Sequence, residues 1–239
     1  MLMYADDTTL YCNIDNYATE AVINTELSKL CEWLGANKLS LNVAKTKFMV
    51  FHTTNRNVVY PRLHMNGNEI ERVSQFNFLG LIVSANMSWN AHVCHISLKV
   101  AKSVGILYRL KLIYPHAILL TIYNALIIPH FNYCLLLWGA VLCKNHQLHL
   151  LQKRALRTIT NSHYIAHTEP ICRNLRLLKL PDMFCLAIWK FYYKLMKNML
   201  PICFSFMKPT LPVICSRYEI RRPVFHLPAI KHKFEKQSL

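Results

Sequence analysis

At 239 residues the chain can bury one large core or two small ones, and 53% hydrophobic residues supply the material. Lys and Arg number 28 against 12 Asp and Glu, a formal charge of +16 that points to a polyanionic partner, either nucleic acid or an anionic membrane surface. The nine cysteines are odd in number, irregularly spaced and without a CxxC pair, which argues against a disulfide framework; His92, Cys94 and His95 cluster, but no second ligand pair completes a zinc site.

In chain order, Leu2-Met3-Tyr4 and Thr8-Thr9-Leu10-Tyr11 are predicted strands, with Ala5-Asp6-Asp7 as the turn between them. From about Tyr17 the period becomes helical. Ile23, Leu27, Leu30 and Leu34 recur at i, i+4, i+7 and i+11, and Gly35 stands where a C-terminal cap is wanted. Phe48 to Phe51 reads as a short strand. Leu63-His64-Met65, Asn66-Gly67 and Asn68-Glu69-Ile70 read as a hairpin on a type I′ turn, because Asn-Gly supplies two positive φ angles. Phe76 to Val83 is a further strand containing Gly80. Residues 1–84 are therefore expected to form an α+β unit.

Beyond residue 88 the texture is helical. Val93, Ile96, Val100, Val104 and Leu107 form one stripe, with Lys99, Lys102, Arg109 and Lys111 off it. Pro115 suits the first turn of a second helix running through Ile128. A third spans Gln147 to Thr160, with Leu148, Leu151, Ala155 and Ile159 inward and Lys153, Arg154 and Arg157 outward. A fourth spans Asp182 to Leu200 and is rich in aromatics. The region 85–200 is thus read as helical, and 201–239 as a basic, Pro-containing, loosely ordered tail.

The uncharged stretch Ala117–Cys143 is long enough to cross a bilayer of about 30 Å. It holds Asn124, Pro129-His130, Asn132 and Gly139, however, and a break at Pro129 leaves two pieces of core-helix length. Buried core is the preferred reading and membrane the alternative. Without a signal peptide the chain is expected inside the cell, in nucleus or cytoplasm, rather than secreted.

Charge is distributed unevenly. Residues 1–71 carry 6 basic and 8 acidic groups, residues 72–168 carry 9 basic groups and no acid, and residues 169–239 carry 13 and 4. Ordinary surfaces mix signs, whereas a surface that tracks phosphates excludes carboxylates, each of which would repel the ligand.

Tyr4-Ala5-Asp6-Asp7 is the sharpest chemical feature. Phosphodiester synthesis uses two divalent cations about 3.5–4 Å apart, and magnesium requires converging carboxylates. Adjacent acids on a tight turn supply part of such a site, although Asp-Asp in a turn is more commonly a solvated loop. The flanks sharpen it. Met3-Tyr4-Ala5-Asp6-Asp7-Thr8 resembles the F/Y-x-D-D box of reverse transcriptases of the non-LTR retrotransposon class. Trp33-Leu34, Asn37 to Asn42 and Lys45 to Phe51 resemble that family's next palm motif, and Phe78-Leu79-Gly80 falls at its primer-grip hairpin. Leu151 to Ala155 and His167 to Pro170 resemble the helical region after the polymerase in jockey- and CR1-like elements.

The resemblance implies a partial polymerase palm of short antiparallel strands and a helix, followed by a mostly helical, thumb-like region. It implies Asp6 and Asp7 as magnesium ligands, Lys45 near the triphosphate's leaving group, and Phe78, Leu79 and Gly80 at the primer end. Lys99, Lys102, Arg109, Lys153, Arg154 and Arg157 would contact the duplex backbone, with an RNA template and a DNA primer as partners. Read from the residues alone, Lys45 and Lys47 are equally the solvent face ahead of a strand, and Gly80 equally a bulge. The family also needs an upstream aspartate and fingers, which these 239 residues do not contain, so the isolated chain is expected not to polymerise DNA. A basic membrane-associated interaction protein anchored by residues 117–143, and a relic without selected function, are the alternatives.

Overall fold

The computed structural model describes residues 2–5, 7–13, 18–52, 60–143 and 146–208. Of the sequence expectations, Asp6 and the tail from residue 209 lie outside the described residues. The chain divides into two units, Met1–Asn86 and Met87–Leu239.

The first unit mixes one helix with small sheets. Strands β1 (Leu2–Tyr4) and β2 (Asp7–Thr9) pair antiparallel, with Tyr4 opposite Asp7. Helix α1 (Ala18–Ala36) follows. Its Leu27 is buried with Leu63, Met65 and Ile70, and Ile23, Leu30, Cys31, Leu41 and Phe48 close around them. Asn24 fixes the helix to strand β4 (His64–Met65). Its amide nitrogen donates to the Arg62 carbonyl at 3.0 Å, and its oxygen accepts the His64 N–H at 2.9 Å. One side chain thereby satisfies both kinds of exposed strand-edge group.

Gly35 does not cap α1. It lies inside the helix, and Lys38 takes the left-handed position at φ 55°. The Leu39 N–H reaches the Leu34 carbonyl and the Lys38 N–H reaches that of Gly35, the paired bonds of a Schellman ending. Strand β3 is shorter than expected, Lys47–Phe48, and pairs parallel with β6 (Glu71–Arg72), so the strands are not all antiparallel. The Asn-Gly hairpin forms as read: β4 pairs with β5 (Asn68–Glu69) across Asn66 (φ 50°) and Gly67 (φ 74°). The stretch expected as one strand over 76–83 is instead a hairpin of β7 (Gln75–Phe78) and β8 (Leu81–Ser84), turning at Leu79 (φ 48°) and Gly80 (φ 84°). Among the described residues these are four separate two-stranded sheets.

The second unit is helical. In α2 (Asn90–Leu110) the predicted stripe is the core face, with Val93, Val100 and Leu107 wholly buried and Ile96 and Val104 nearly so. Pro115 precedes α3 (His116–Leu126) as its N-cap. The helix in the apolar stretch ends at Leu126, just ahead of Pro129. That proline occupies the first turn of α4 (Ile128–Asn132), where a missing N–H costs nothing. The reversal falls at Tyr133-Cys134, with Cys134 at φ 50°, before α5 (Leu135–Trp138) and a 3-10 turn over Gly139–Cys143.

No single helix among the described residues is long and apolar enough to cross a membrane; the bent pair His116–Asn132 and Leu135–Leu142, at 58°, passes by length and composition. Leu119, Tyr123, Ile127, Phe131 and Trp138 of that pair are nonetheless buried within the unit. Helices α6 (Gln147–Ile159), α7 (Thr168–Asn174) and α8 (Leu180–Met196) complete it, followed by a 3-10 turn over Ile202–Met207. Helix α8 begins two residues earlier and ends four earlier than expected. Gly139 lies against its Phe184: a Cβ there would come within 2.2 Å of that ring.

Candidate functional site

In the β1–β2 register Tyr4 stands opposite Asp7, and Ala5, which follows Tyr4, has φ 52°, the sign that tight hairpins require at their first turn position. Asp7 is therefore not part of the turn; it opens β2 and is exposed. Lys45 is exposed in a turn begun by Asn42, whose side-chain oxygen accepts the Lys45 N–H at 3.2 Å. No hydrogen bond or ion pair joins Lys45 to Asp7 among the described residues. Lys47 pairs with Glu71, the residue opposite it in the β3–β6 register. Leu79 and Gly80 form the exposed tip of the β7–β8 hairpin, so Gly80 serves a turn and not a bulge. Phe78, half-buried, ends β7. No group of His, Cys, Asp and Glu able to hold a metal occurs among the described residues, a set that omits Asp6.

The first unit also holds an open cleft lined by Phe48, Tyr60, Arg62, Glu69, Glu71 and Arg72, among others. Its charges are mixed, and two of the four are engaged. The Arg72 guanidinium lies 3.6 Å from the centre of the Tyr60 ring, and Glu71 pairs with Lys47. That composition does not favour a polyanion.

The six basic residues expected to contact a nucleic-acid backbone do not form one surface. Lys99 lies close enough to His130 to depress its pKa, behind burial as the larger cause, which places it on the α4 flank of α2. Lys153 lies near His149, whose pKa is lowered chiefly by burial and then by Lys153 and Lys179. Arg157 is committed to structure: its Nε donates to the Ala166 carbonyl at 2.9 Å, tying the loop before α7 to α6. It is half-buried and not the outward charge expected.

Arg109 and Arg154 come together. Both line a small cavity between α2 and α6, with Ala101, Val104, Gly105, Tyr108 and Leu151 as the other walls. Lys102 shares the exposed face of α2 with Arg109, seven residues away. The ion pairs among the described residues are Lys29–Glu26, Lys47–Glu71, Arg173–Glu169 and Lys179–Glu169, so neither Arg109 nor Arg154 has a carboxylate partner.

Gly105 and Tyr108 were not among the expected site residues. A glycine inside an otherwise regular helix was the available signal, since it weakens the helix and commonly marks a close approach or an opening. Gln152 was also missed, and it ties α6 to α3 and to the start of α8. It is almost wholly buried. Its Nε2 lies 3.1 Å from the Tyr123 hydroxyl and 3.0 Å from the Leu178 carbonyl, and its Oε1 accepts the Leu180 N–H at 2.8 Å.

Compared with known proteins, the chain is 25% identical over 187 residues to the RNA-directed DNA polymerase from mobile element jockey of Drosophila melanogaster, a match covering 75% of this chain. The chain spans about a fifth of that relative's length, 20%. This distant similarity supports a relationship to reverse transcriptases. No family model matches the chain. No solved structure matches it.

Proposed function

We propose that the chain is a nucleic-acid-binding portion of a reverse transcriptase of the non-LTR, jockey- or CR1-like retrotransposon class. The observation that carries the reading is the arginine pair at the α2–α6 seam, without a carboxylate partner among the described residues and set in a stretch from residue 72 to 168 that contains no acid. A guanidinium without a carboxylate partner is free for a phosphate, and the absence of local acids removes the repulsion a backbone would otherwise meet. The distant similarity to an RNA-directed DNA polymerase points to RNA template and DNA primer as the polyanions.

Within this reading Asp6 and Asp7 supply carboxylates to a two-magnesium centre. Lys45 neutralises the leaving pyrophosphate, and Phe78, Leu79 and Gly80 steady the primer end. The β1–β2 hairpin is a fitting carrier for such a turn, because its antiparallel register holds Asp7 directly across from Tyr4. A two-metal centre needs further carboxylates converging on the same point. Beyond Asp6 and Asp7, the hairpin residues 2–9 contain no acid.

Two measurements test the proposal. In a primer-extension assay with magnesium, the 239-residue polypeptide alone gives no extension product; robust synthesis overturns the claim that it lacks a complete centre. In fluorescence anisotropy with an RNA–DNA hybrid, affinity falls on the order of a hundredfold between 50 and 200 mM salt, the change expected for about four phosphate contacts. A flat salt response removes the nucleic-acid reading.

A further inference from the structure

We propose that the notch between α2 and α6 is a discrete seat for one phosphodiester group, held between Arg109 and Arg154 and opened by Gly105. The inference rests on the nucleic-acid reading above and goes beyond it, from diffuse attraction to a single built position. Three observations carry it.

The first is size. The notch has a volume of about 230 Å³, below the roughly 300–1,000 Å³ of pockets that enclose drug-sized molecules, and it opens to solvent. It suits a small group at the edge of a larger ligand.

The second is the lining. Ala101, Val104, Gly105 and Leu151 give apolar walls, and the charged groups among the lining residues are two guanidiniums from different helices. Two like charges on one small cavity repel each other, and an anion between them relieves that repulsion while accepting hydrogen bonds from both forks. The Lys111 ammonium, 4.6 Å from the centre of the Tyr108 ring, adds a further cation beside the lining Tyr108.

The third is Gly105. A Cβ built there meets nothing within 4 Å, so the glycine is not required by packing. It lies inside an unbroken 21-residue helix at a cost in helix propensity, and what it provides is open space above the seam. A backbone phosphate needs that space. An ordinary solvated helix face does not.

The test separates the seat from the general reading. Binding of a 20-nucleotide single-stranded RNA to the full chain is measured by anisotropy for the native protein, Gly105→Leu, Arg109→Gln, Arg154→Gln and Lys99→Gln. Gly105→Leu fills the notch, leaves net charge unchanged and replaces a poor helix former by a good one, so the fold is expected to melt no earlier than the native protein. It binds on the order of tenfold more weakly, and in its background Arg109→Gln and Arg154→Gln lose much of their effect. Lys99→Gln, on the other flank of α2, weakens binding only a few-fold.

Native binding that is steeply salt-dependent, with Gly105→Leu equal to native, overturns the seat and leaves the general reading standing. No binding by the native chain overturns both. Should Gly105→Leu melt early, the Arg109→Gln and Arg154→Gln double-mutant cycle decides. Coupled losses support the seat, and strictly additive ones overturn it.

Discussion

Gln152 shows how much one side chain contributes to the helical unit. Its amide spends both donor and acceptor capacity on the buried Tyr123 hydroxyl, the part-buried Leu178 carbonyl and the buried Leu180 N–H. The Tyr123 phenol is held well above its usual range, at about 12, chiefly by burial and partly offset by this bond. Replacing Gln152 by Leu keeps volume and removes all three contacts. The expected loss is about 2–4 kcal/mol in urea denaturation, since stranded buried groups cost more than a hydrogen bond gains; a loss under about 0.5 kcal/mol would show that the site can rehydrate. Little of this was legible from sequence. The apolar face of α6 could be read from Leu148, Ala155 and Ile159, but a polar residue beside that face carries no periodic signal, and its partners lie 26 to 29 residues away.

At the level of elements, local chemistry that acts through the backbone was readable and chemistry that acts through tertiary packing was not. The Asn66-Gly67 turn and the buried stripe of α2 follow from short-range rules. The Leu79-Gly80 turn was hidden from the residue pattern, because Phe78, Leu79, Leu81 and Ile82 look like one continuous apolar strand, and only the family resemblance put a hairpin there. The end of α1 was misplaced because glycine marks a left-handed position better than lysine does, yet Lys38 occupies it. That site gives a direct prediction. Lys38→Gly removes the strain of a β-carbon at φ 55° and should raise stability by about 0.5–1 kcal/mol, read as a higher melting temperature. An unchanged or lower melting temperature would mean that the lysine side chain compensates through contacts of its own.

At the scale of the whole molecule, two of the six predicted phosphate contacts, Arg109 and Arg154, meet at the seam of two helices, while Lys99, Lys153 and Arg157 lie away from it. Which cations share a surface depends on helix packing, and no linear spacing between residues 99 and 157 encodes it. Burial also sets an acid limit to the fold. His92 lies between Trp89 and Trp138 with both rings edge-on, and burial, then His95 and Lys99, pushes its pKa down from 6.5 to about 4. His130 and His149 are lowered for the same leading reason. A folded pKa below the unfolded value means that the unfolded chain takes up protons first. Stability is therefore full above about pH 6.5 and falls toward pH 4, with His92 contributing up to about 3 kcal/mol of the loss. Urea titrations at pH 7.5 and 4.5 measure it, and His92→Gln should flatten the profile; equal slopes for variant and native protein would remove His92 as the cause.

Helix α8 carries no side-chain cap of its own, as the residue before it is Lys179, and the N–H of its first residue is taken by Gln152 on α6. The start of α8 therefore rests on Pro181 and Asp182 in its own first turn and on a residue 28 positions earlier. Where α6 is undocked, the Leu180 N–H loses this partner and the first turn of α8 is held by Pro181 and Asp182 alone, so it frays more readily. One carboxamide on α6 thus steadies the end of a helix 28 residues further along the chain.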